Sequence, residues 1–403
     1  MAVSTGERLV MARDRLGFSQ DDAANALGVS RAMISYWEAE RRRPNDRQLT
    51  ALARLYKTQV GQLLGEVTSE PRADLAQVLL RSEADLPDEV LPGLEEFVSF
   101  LDRYAELATA TGLDIGGMTR SPFVSRAGFD TAEDARRKAE DVRAHLRLGL
   151  GPVADLDWIC ELLGITVFRA SLGPDLRRTM SGAFLRHPSV GFSILVNLDM
   201  TPGRRRFTVA HEIAHALFHS DKVAYVISRA ARDPRERFAD AFAGEFLMPT
   251  EGIRRFMEDN GLRPRIDDPA EVVHVQRYFK VSYPTALVRL RQAKVLTAER
   301  YESFKQVRPV LLARALGYET DEEEYDQDPE LWRLARYPRR FLQMLRTAIQ
   351  REVVSVPTVA ELTGLPLDEI ATLVGEQRGD GVAGESRTEL SEYEDSGVLE
   401  PSR

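Results

Sequence analysis

Residues 204–219 read RRRFTVAHEIAHALFH and predict a helix that carries two histidines. His211 and His215 are four residues apart, so both imidazoles leave the same face of the helix and can bind one metal ion. Zinc suits two neutral nitrogens plus a carboxylate, with water in the fourth position. Glu212 is offset around the helix and can act as the general base toward that water, then pass its proton to a leaving amine.

The residues around the two histidines are apolar, so both side chains would be partly buried and would need a polar partner. Hydrogen bonds alone could satisfy them, and the spacing by itself leaves both interpretations open. A third ligand, Asp or Glu from a later helix, would favour a metal site. The acidic candidates downstream are Asp221, Asp233, Glu236, Asp240 and Glu245.

Residues 236–249, ERFADAFAGEFLMP, predict such a helix. Its large apolar residues fall mainly on one side, and Glu236 and Asp240 lie one turn apart on one flank. This spacing lets Glu236 bind zinc while Asp240 orients a ligand histidine. His219 shares the face of His211 but lies two turns further on, too far to bind the same ion. We therefore expect His219 to be at most a neighbour of the site.

Residues 18–44, FSQDDAANALGVSRAMISYWEAERRRP, predict two short helices joined by a tight turn. Gln20 opens the first helix, Gly28 permits the turn and Ser30 caps the second helix. The second helix has a size that fits the major groove of DNA. Its outward residues are predicted to be Arg31, Ala32, Ser35 and Tyr36.

Charge supports double-stranded DNA as the partner of this segment. The whole chain has a net charge of −9, but residues 1–65 carry ten Lys or Arg against seven Asp or Glu, whereas residues 379–403 carry two against seven. Gln20 is placed to reach a phosphate at the start of its helix. The run Arg41, Arg42 and Arg43 can neutralise backbone charge without reading sequence.

Composition indicates a globular protein of two or three domains. Hydrophobic residues make up 43% and charged residues 29%, and no apolar run approaches the roughly 20 residues that cross a bilayer. The N-terminus does not resemble a secretion signal. Cys160 is the single cysteine, which excludes an intrachain disulfide. We expect a soluble cytoplasmic protein without a membrane partner.

The patterning predicts a mainly α, multidomain fold. Strand-like segments at 165–170, 183–187 and 192–197 predict a small sheet before the histidine helix. Residues 86–112 predict an amphipathic helix that could dimerise or pack between domains. The expected units are a five-helix DNA-binding bundle at 1–66, a helical linker at 67–130, an α+β catalytic domain at 131–256, a small helical module at 257–300, a helical region without an assigned role at 301–378 and an acidic, disordered tail at 379–403.

The N-terminal pattern SQxxxAxxLGVSRxxISxWExxRRxP resembles the Cro/CI-type (XRE) helix-turn-helix family. This resemblance implies sequence-specific binding of duplex DNA, usually as a dimer on palindromic sites, so a homodimer is expected. Helix-turn-helix geometry also occurs in proteins that bind no DNA, which leaves a generic helical bundle as the alternative.

The series SGAF, ILVN, RRRFTVAHEIAHALFH and ERFADAFAGEFLMP resembles the ImmA/IrrE metallopeptidases over roughly residues 130–255. The resemblance implies a zincin-like, thermolysin-related helical core with a small sheet. It also implies one zinc ion held by His211, His215 and Glu236, with Glu212 as the catalytic residue. Family members typically cleave a Cro/CI-type repressor and thereby derepress stress-response or mobile-element genes. This chain differs from the stand-alone proteases because it carries a helix-turn-helix itself.

Three hypotheses follow. The first is a zinc endopeptidase tethered to DNA that cleaves a repressor-like regulator or its own linker. The second is a transcription regulator whose metallopeptidase-like domain senses a ligand or metal without proteolysis. The third is an antitoxin-like binding protein, which rests only on the shared helix-turn-helix.

Overall fold

A computed structural model describes residues 4–16, 18–56, 58–66, 88–115, 123, 131–173, 180–219, 224–228, 234–318 and 333–374. The fold is mainly α and multidomain, as predicted. The acidic segment 379–403, the start of the linker and the candidate ligands Asp221 and Asp233 lie outside the described residues. Among the helices of the described part, none is long and apolar enough to cross a membrane.

Five short helices form the N-terminal bundle, in agreement with the sequence prediction. They are α1 (Thr5–Arg15), α2 (Gln20–Leu27), α3 (Arg31–Glu38), α4 (Asp46–Leu55) and α5 (Val60–Leu64). Gly28 ends α2 in the left-handed region at φ 66°, where it turns the chain into the Ser30 cap of α3. The bundle has its own core, whose largest buried members are Leu9, Ile34, Trp37, Leu52, Tyr56 and Leu63.

A four-stranded sheet in the order β1-β3-β2-β4 lies at the centre of the larger part of the molecule. Its strands are β1 (Thr166–Ala170), β2 (Met180–His187), β3 (Gly191–Asn197) and β4 (Ala224–Ser228). The hairpin of β2 and β3 confirms the predicted small sheet. The parallel pairing of β1 with β3 and the edge strand β4 had no counterpart in the prediction.

Helices cover both faces of this sheet, because successive side chains of a strand point to opposite faces. Phe184, Ile194 and Val196 enter one core, whereas Leu185 and Leu195 enter the other. The first core includes the helices α7 (Ala132–His145), α8 (Leu156–Leu162), α9 (Pro202–Phe218), α10 (Pro234–Leu247), α11 (Thr250–Asp259), α12 (Pro269–Phe279), α13 (Tyr283–Gln292), α14 (Ala298–Phe304) and α15 (Pro309–Ala315).

The second core joins the helix predicted at 86–112 to the C-terminal region. It includes α6 (Leu91–Thr111), α16 (Arg339–Gln350), α17 (Val356–Thr363) and α18 (Leu367–Val374). Phe100 of α6 stacks on Phe168 of β1 with ring centroids 4.6 Å apart. The amphipathic face of α6 is therefore buried within this chain, between the sheet and the C-terminal helices.

Candidate functional site

His211, Glu212 and His215 lie on α9, where small and apolar neighbours bury them. His211 is 4% exposed, Glu212 0% and His215 2%. The helix packs against the sheet on one side and against α10 on the other. The Nε2 atoms of the two histidines are 3.1 Å apart. Adjacent turns of one helix thus direct both ring nitrogens to the same point, as their spacing predicts.

Glu236, in the first turn of α10, completes a group of three donors. Its Oε2 lies 3.2 Å from His211 Nε2, and its Oε1 lies 3.3 Å from His215 Nε2. A tetrahedral ion with bonds of about 2.0–2.1 Å needs donor atoms about 3.3 Å apart. The three side chains therefore have both the chemistry and the spacing to hold a metal ion.

The far nitrogens of the two histidines also have acceptors. His211 Nδ1 lies 2.9 Å from Asp240 Oδ1, and His215 Nδ1 lies 2.9 Å from His219 Nδ1. When the Nε2 lone pair faces an ion, Nδ1 keeps its proton and donates it. One ring is thus oriented by a carboxylate and the other by a second imidazole.

Burial and the acidic groups together set the charge of the metal-free site. Burial alone would lower the pKa of His211, but hydrogen bonds to Asp240 and Glu236 outweigh it and raise that pKa to about 10. Burial lowers the pKa of His215 to about 3. Burial opposes ionisation of Glu236, yet its hydrogen bonds to both histidines lower its pKa. Neutral imidazoles and an ionised carboxylate are the forms that bind a metal ion, so metal binding and protonation of this group compete.

Glu212 lies beside the three donors and is fully buried. Burial raises the pKa of its carboxyl group to about 8; the charge of His211 opposes this rise and that of Glu236 adds to it. A carboxylate beside a metal-bound water can accept a proton from that water and later return it. This is the property that a general acid–base residue needs.

Most of the residues predicted to contact DNA lie at the cap of α3, on its solvent side or just after it, and Gln20 begins α2. Ser30 Oγ accepts a hydrogen bond from Met33 N and caps α3. The amide of Gln20 donates to Glu38, so a phosphate contact through this nitrogen requires the hydrogen bond to be exchanged. The exposed residues among them are Ser30, Arg31, Ala32, Tyr36, Arg41, Arg42 and Arg43, and Gln20 and Ser35 are half-buried.

Comparison with known families matches two parts of the chain. Residues 160–291 match the family described as IrrE N-terminal-like domain, and residues 9–63 match the family described as Helix-turn-helix. The chain carries both domains. The three-donor group and Glu212 fall in the IrrE N-terminal-like domain, and α2 and α3 fall in the helix-turn-helix domain.

A curated relative matches a short part of the chain. Over 75 residues the chain is 35% identical to the HTH-type transcriptional regulator ImmR of Bacillus subtilis (strain 168). The match covers 18% of this chain and 59% of that relative, so the chain spans little more than half of its length.

Within the IrrE N-terminal-like domain, the structure separates the acidic candidates named from sequence. Glu236 and Asp240 contact the histidines. Glu245 instead forms a buried ion pair with Arg289. His219 is 3% exposed and contacts His215, a role that the sequence analysis did not assign to it. The signal was present, since His219 follows His215 by one helical turn.

Removing either acceptor behind the histidines is expected to weaken metal binding. Asp240→Ala and His219→Leu should each raise the metal dissociation constant by about 10- to 100-fold, because the ligand ring loses its orientation. His219→Asn should lose less, since its carbonyl oxygen can still accept a hydrogen bond. Competition with a chelator measures the constant, and Asp259→Asn, an exposed change on α11, serves as the control. Equal metal affinities for all variants would show that Asp240 and His219 do not orient the ligand rings.

Proposed function

We propose that the chain is a DNA-binding transcriptional regulator with a zinc-dependent endopeptidase domain. The observation that carries the proposal is the convergence of His211, His215 and Glu236, with donor atoms within 4.8 Å of one another, beside the buried Glu212. Two imidazoles and one carboxylate are a ligand set that zinc takes in catalytic sites and that leaves a coordination position open.

In this mechanism, His211, His215 and Glu236 would hold a zinc ion, which would supply a Lewis acid for the scissile carbonyl and for the attacking water. Glu212 takes one proton from that water through its carboxylate. The water oxygen bonds to the carbonyl carbon, the peptide C–N bond breaks, and Glu212 returns the proton to the amine nitrogen. Asp240 and His219 hold the two ligand rings in place.

The helix-turn-helix domain brings this chemistry to double-stranded DNA in the cytoplasm. We assign base contacts to Arg31, Ala32, Ser35 and Tyr36 on α3, and phosphate contacts to Gln20, Ser30 and the run of three arginines at 41–43. A homodimer on a two-fold operator fits this mode of binding. The substrate is a repressor-like regulator or the chain itself, in a stress or mobile-element response.

The alternative is a regulator whose metal domain senses a ligand or metal without turnover. The observation that favours it is the presence of a helix-turn-helix domain in the same chain, because a protease bound to DNA gains little unless its substrate is there too. The two functions differ in whether Glu212 moves a proton in a cleavage reaction.

Metal content and cleavage, measured on the full purified chain, test the proposal. We expect one zinc per chain, and slow cleavage of the chain or of a repressor-like partner that stops when a chelator removes the metal and resumes when zinc is restored. Stoichiometric zinc without cleavage of any tested partner supports the sensing alternative. Purified chain that neither contains nor takes up zinc would overturn the endopeptidase proposal.

A further inference from the structure

Two helix N-termini meet where the helix-turn-helix domain contacts the C-terminal helices. Helix α5 begins at Val60, and its preceding residue Gln59 makes no side-chain cap. Helix α17 begins at Val356 after the capping residue Ser355. Backbone N–H groups in the first turn of a helix lack partners within the helix and attract negative charge.

Each of these helix ends receives a carboxylate from the other side. Glu361, on α17, accepts hydrogen bonds from the backbone N–H groups of Val60 and Gly61 at the start of α5. Glu361 and Val60 are 301 residues apart in the chain. The first turn of α5 is thus capped from the C-terminal region.

Glu66, just after α5, makes the reciprocal contact. Its Oε2 accepts from Ser355 N at 3.0 Å and from Ser355 Oγ at 3.2 Å, and it also accepts from the Thr358 hydroxyl. Glu66 therefore caps α17, the helix that carries Glu361, and Glu361 caps α5, the helix that Glu66 follows. We call this pair of contacts the carboxylate clasp.

The clasp joins the helix-turn-helix domain to α17, which is itself hydrogen-bonded to α6. Arg103 of α6 donates to the Leu362 carbonyl of α17 at 2.9 Å, which ties α17 to the helix that packs on the sheet. An open cleft of about 1380 Å³ runs beside the contact, between α4 and α5 on one side and α17 and α18 on the other.

The clasp lies away from the residues that face DNA. It uses α5 and the residue after it, while Arg31, Tyr36 and the arginines at 41–43 stay exposed. We propose that the C-terminal helices are the docking surface of the helix-turn-helix domain, held by Glu66 and Glu361 with the DNA-binding face left open. Cleavage of the connection at 67–87 would then not be sufficient to release the DNA-binding domain from the rest of the chain.

A full-length protein with a site for a sequence-specific protease inserted within 67–87 tests this docking. After cutting, the N-terminal fragment of the otherwise unchanged protein should co-elute with the remainder in size-exclusion chromatography. Glu66→Gln and Glu361→Gln should each weaken the association of the two pieces by about tenfold, because each removes a charged acceptor from several donors. The double variant should separate, and Glu258→Gln on α11 should behave as the unchanged protein.

Duplex-DNA affinity of the uncut double variant should stay within about twofold, since the recognition face is not part of the clasp. Separation of the fragments without the substitutions, with both pieces folded by circular dichroism, would overturn the proposal. So would a double variant that stays associated. If the cut N-terminal fragment unfolds, small-angle scattering of the uncut chain decides instead: the double variant must have a larger radius of gyration, and an unchanged value would contradict docking by the clasp.

Discussion

Glu212→Gln is expected to abolish peptide cleavage and to leave the metal in place. The amide has nearly the shape of the carboxyl group but cannot take a proton from water, so the rate should fall by about 10²- to 10⁴-fold. Glu212 is not among the three donors, and the ligands His211, His215 and Glu236 are untouched. Zinc content should therefore remain one per chain while cleavage of the chain or its partner is lost, measured as single-turnover rates.

Two comparisons make this result specific. Glu258→Gln, the same change at an exposed position, should retain full activity. His211→Ala should lose metal and cleavage together. Cleavage that persists in Glu212→Gln would show that the assigned general base is wrong. A reporter gene that responds alike to the wild type and to Glu212→Gln, in cells that contain the metal-loaded protein, would favour sensing over proteolysis.

The three-donor group could be predicted from sequence to the extent that its geometry is local. Four residues separate His211 from His215, and four separate Glu236 from Asp240, so helical periodicity alone places each pair on one face. The meeting of the two helices is not local. The motif resemblance supplied that step, and the distances between Glu236 and the two histidines agree with it.

Long-range contacts account for what the sequence analysis missed. The parallel pairing of β1 with β3 and the edge strand β4 depend on partners that no local pattern reveals. The carboxylate clasp is an extreme case, since Glu66 and Ser355 are 289 residues apart. A surface glutamate next to a helix end looks the same in sequence whether its partner is water or another domain.

Arg289→Ala is expected to cause the largest loss of stability in the IrrE N-terminal-like domain. Arg289, on α13, is 1% exposed and pairs with the equally buried Glu245 of α10. It also donates to the Met248 carbonyl, at 2.8 Å from one of its guanidinium nitrogens. Its pKa is lowered by burial, against the attraction of Glu245. Truncation leaves the Glu245 charge buried and unpaired, which should lower the free energy of unfolding by about 3–5 kcal/mol.

The fit around Arg289 is tight, because a Cβ on Gly244 would lie 2.8 Å from the Arg289 Cδ. Denaturant unfolding measures the loss, and Arg291→Ala, an exposed change on the same helix that removes a contact with the Tyr301 ring, should stay within about 1 kcal/mol of the wild type. Arg289→Met combined with Glu245→Gln should recover part of the loss, since no buried charge is left alone. Equal destabilisation by Arg289→Ala and Arg291→Ala would show that the buried pair does not matter to stability.

The same substitution links stability to the metal site. Glu245 and Glu236 lie on one helix, so the contact of Arg289 with Glu245 helps to fix the position of α10 against α13. Loosening α10 moves the third donor relative to α9, whose histidines do not depend on Arg289. Arg289→Ala should therefore bind zinc more weakly even under conditions in which it is still folded. The double variant Arg289→Met with Glu245→Gln should regain zinc affinity in parallel with its stability.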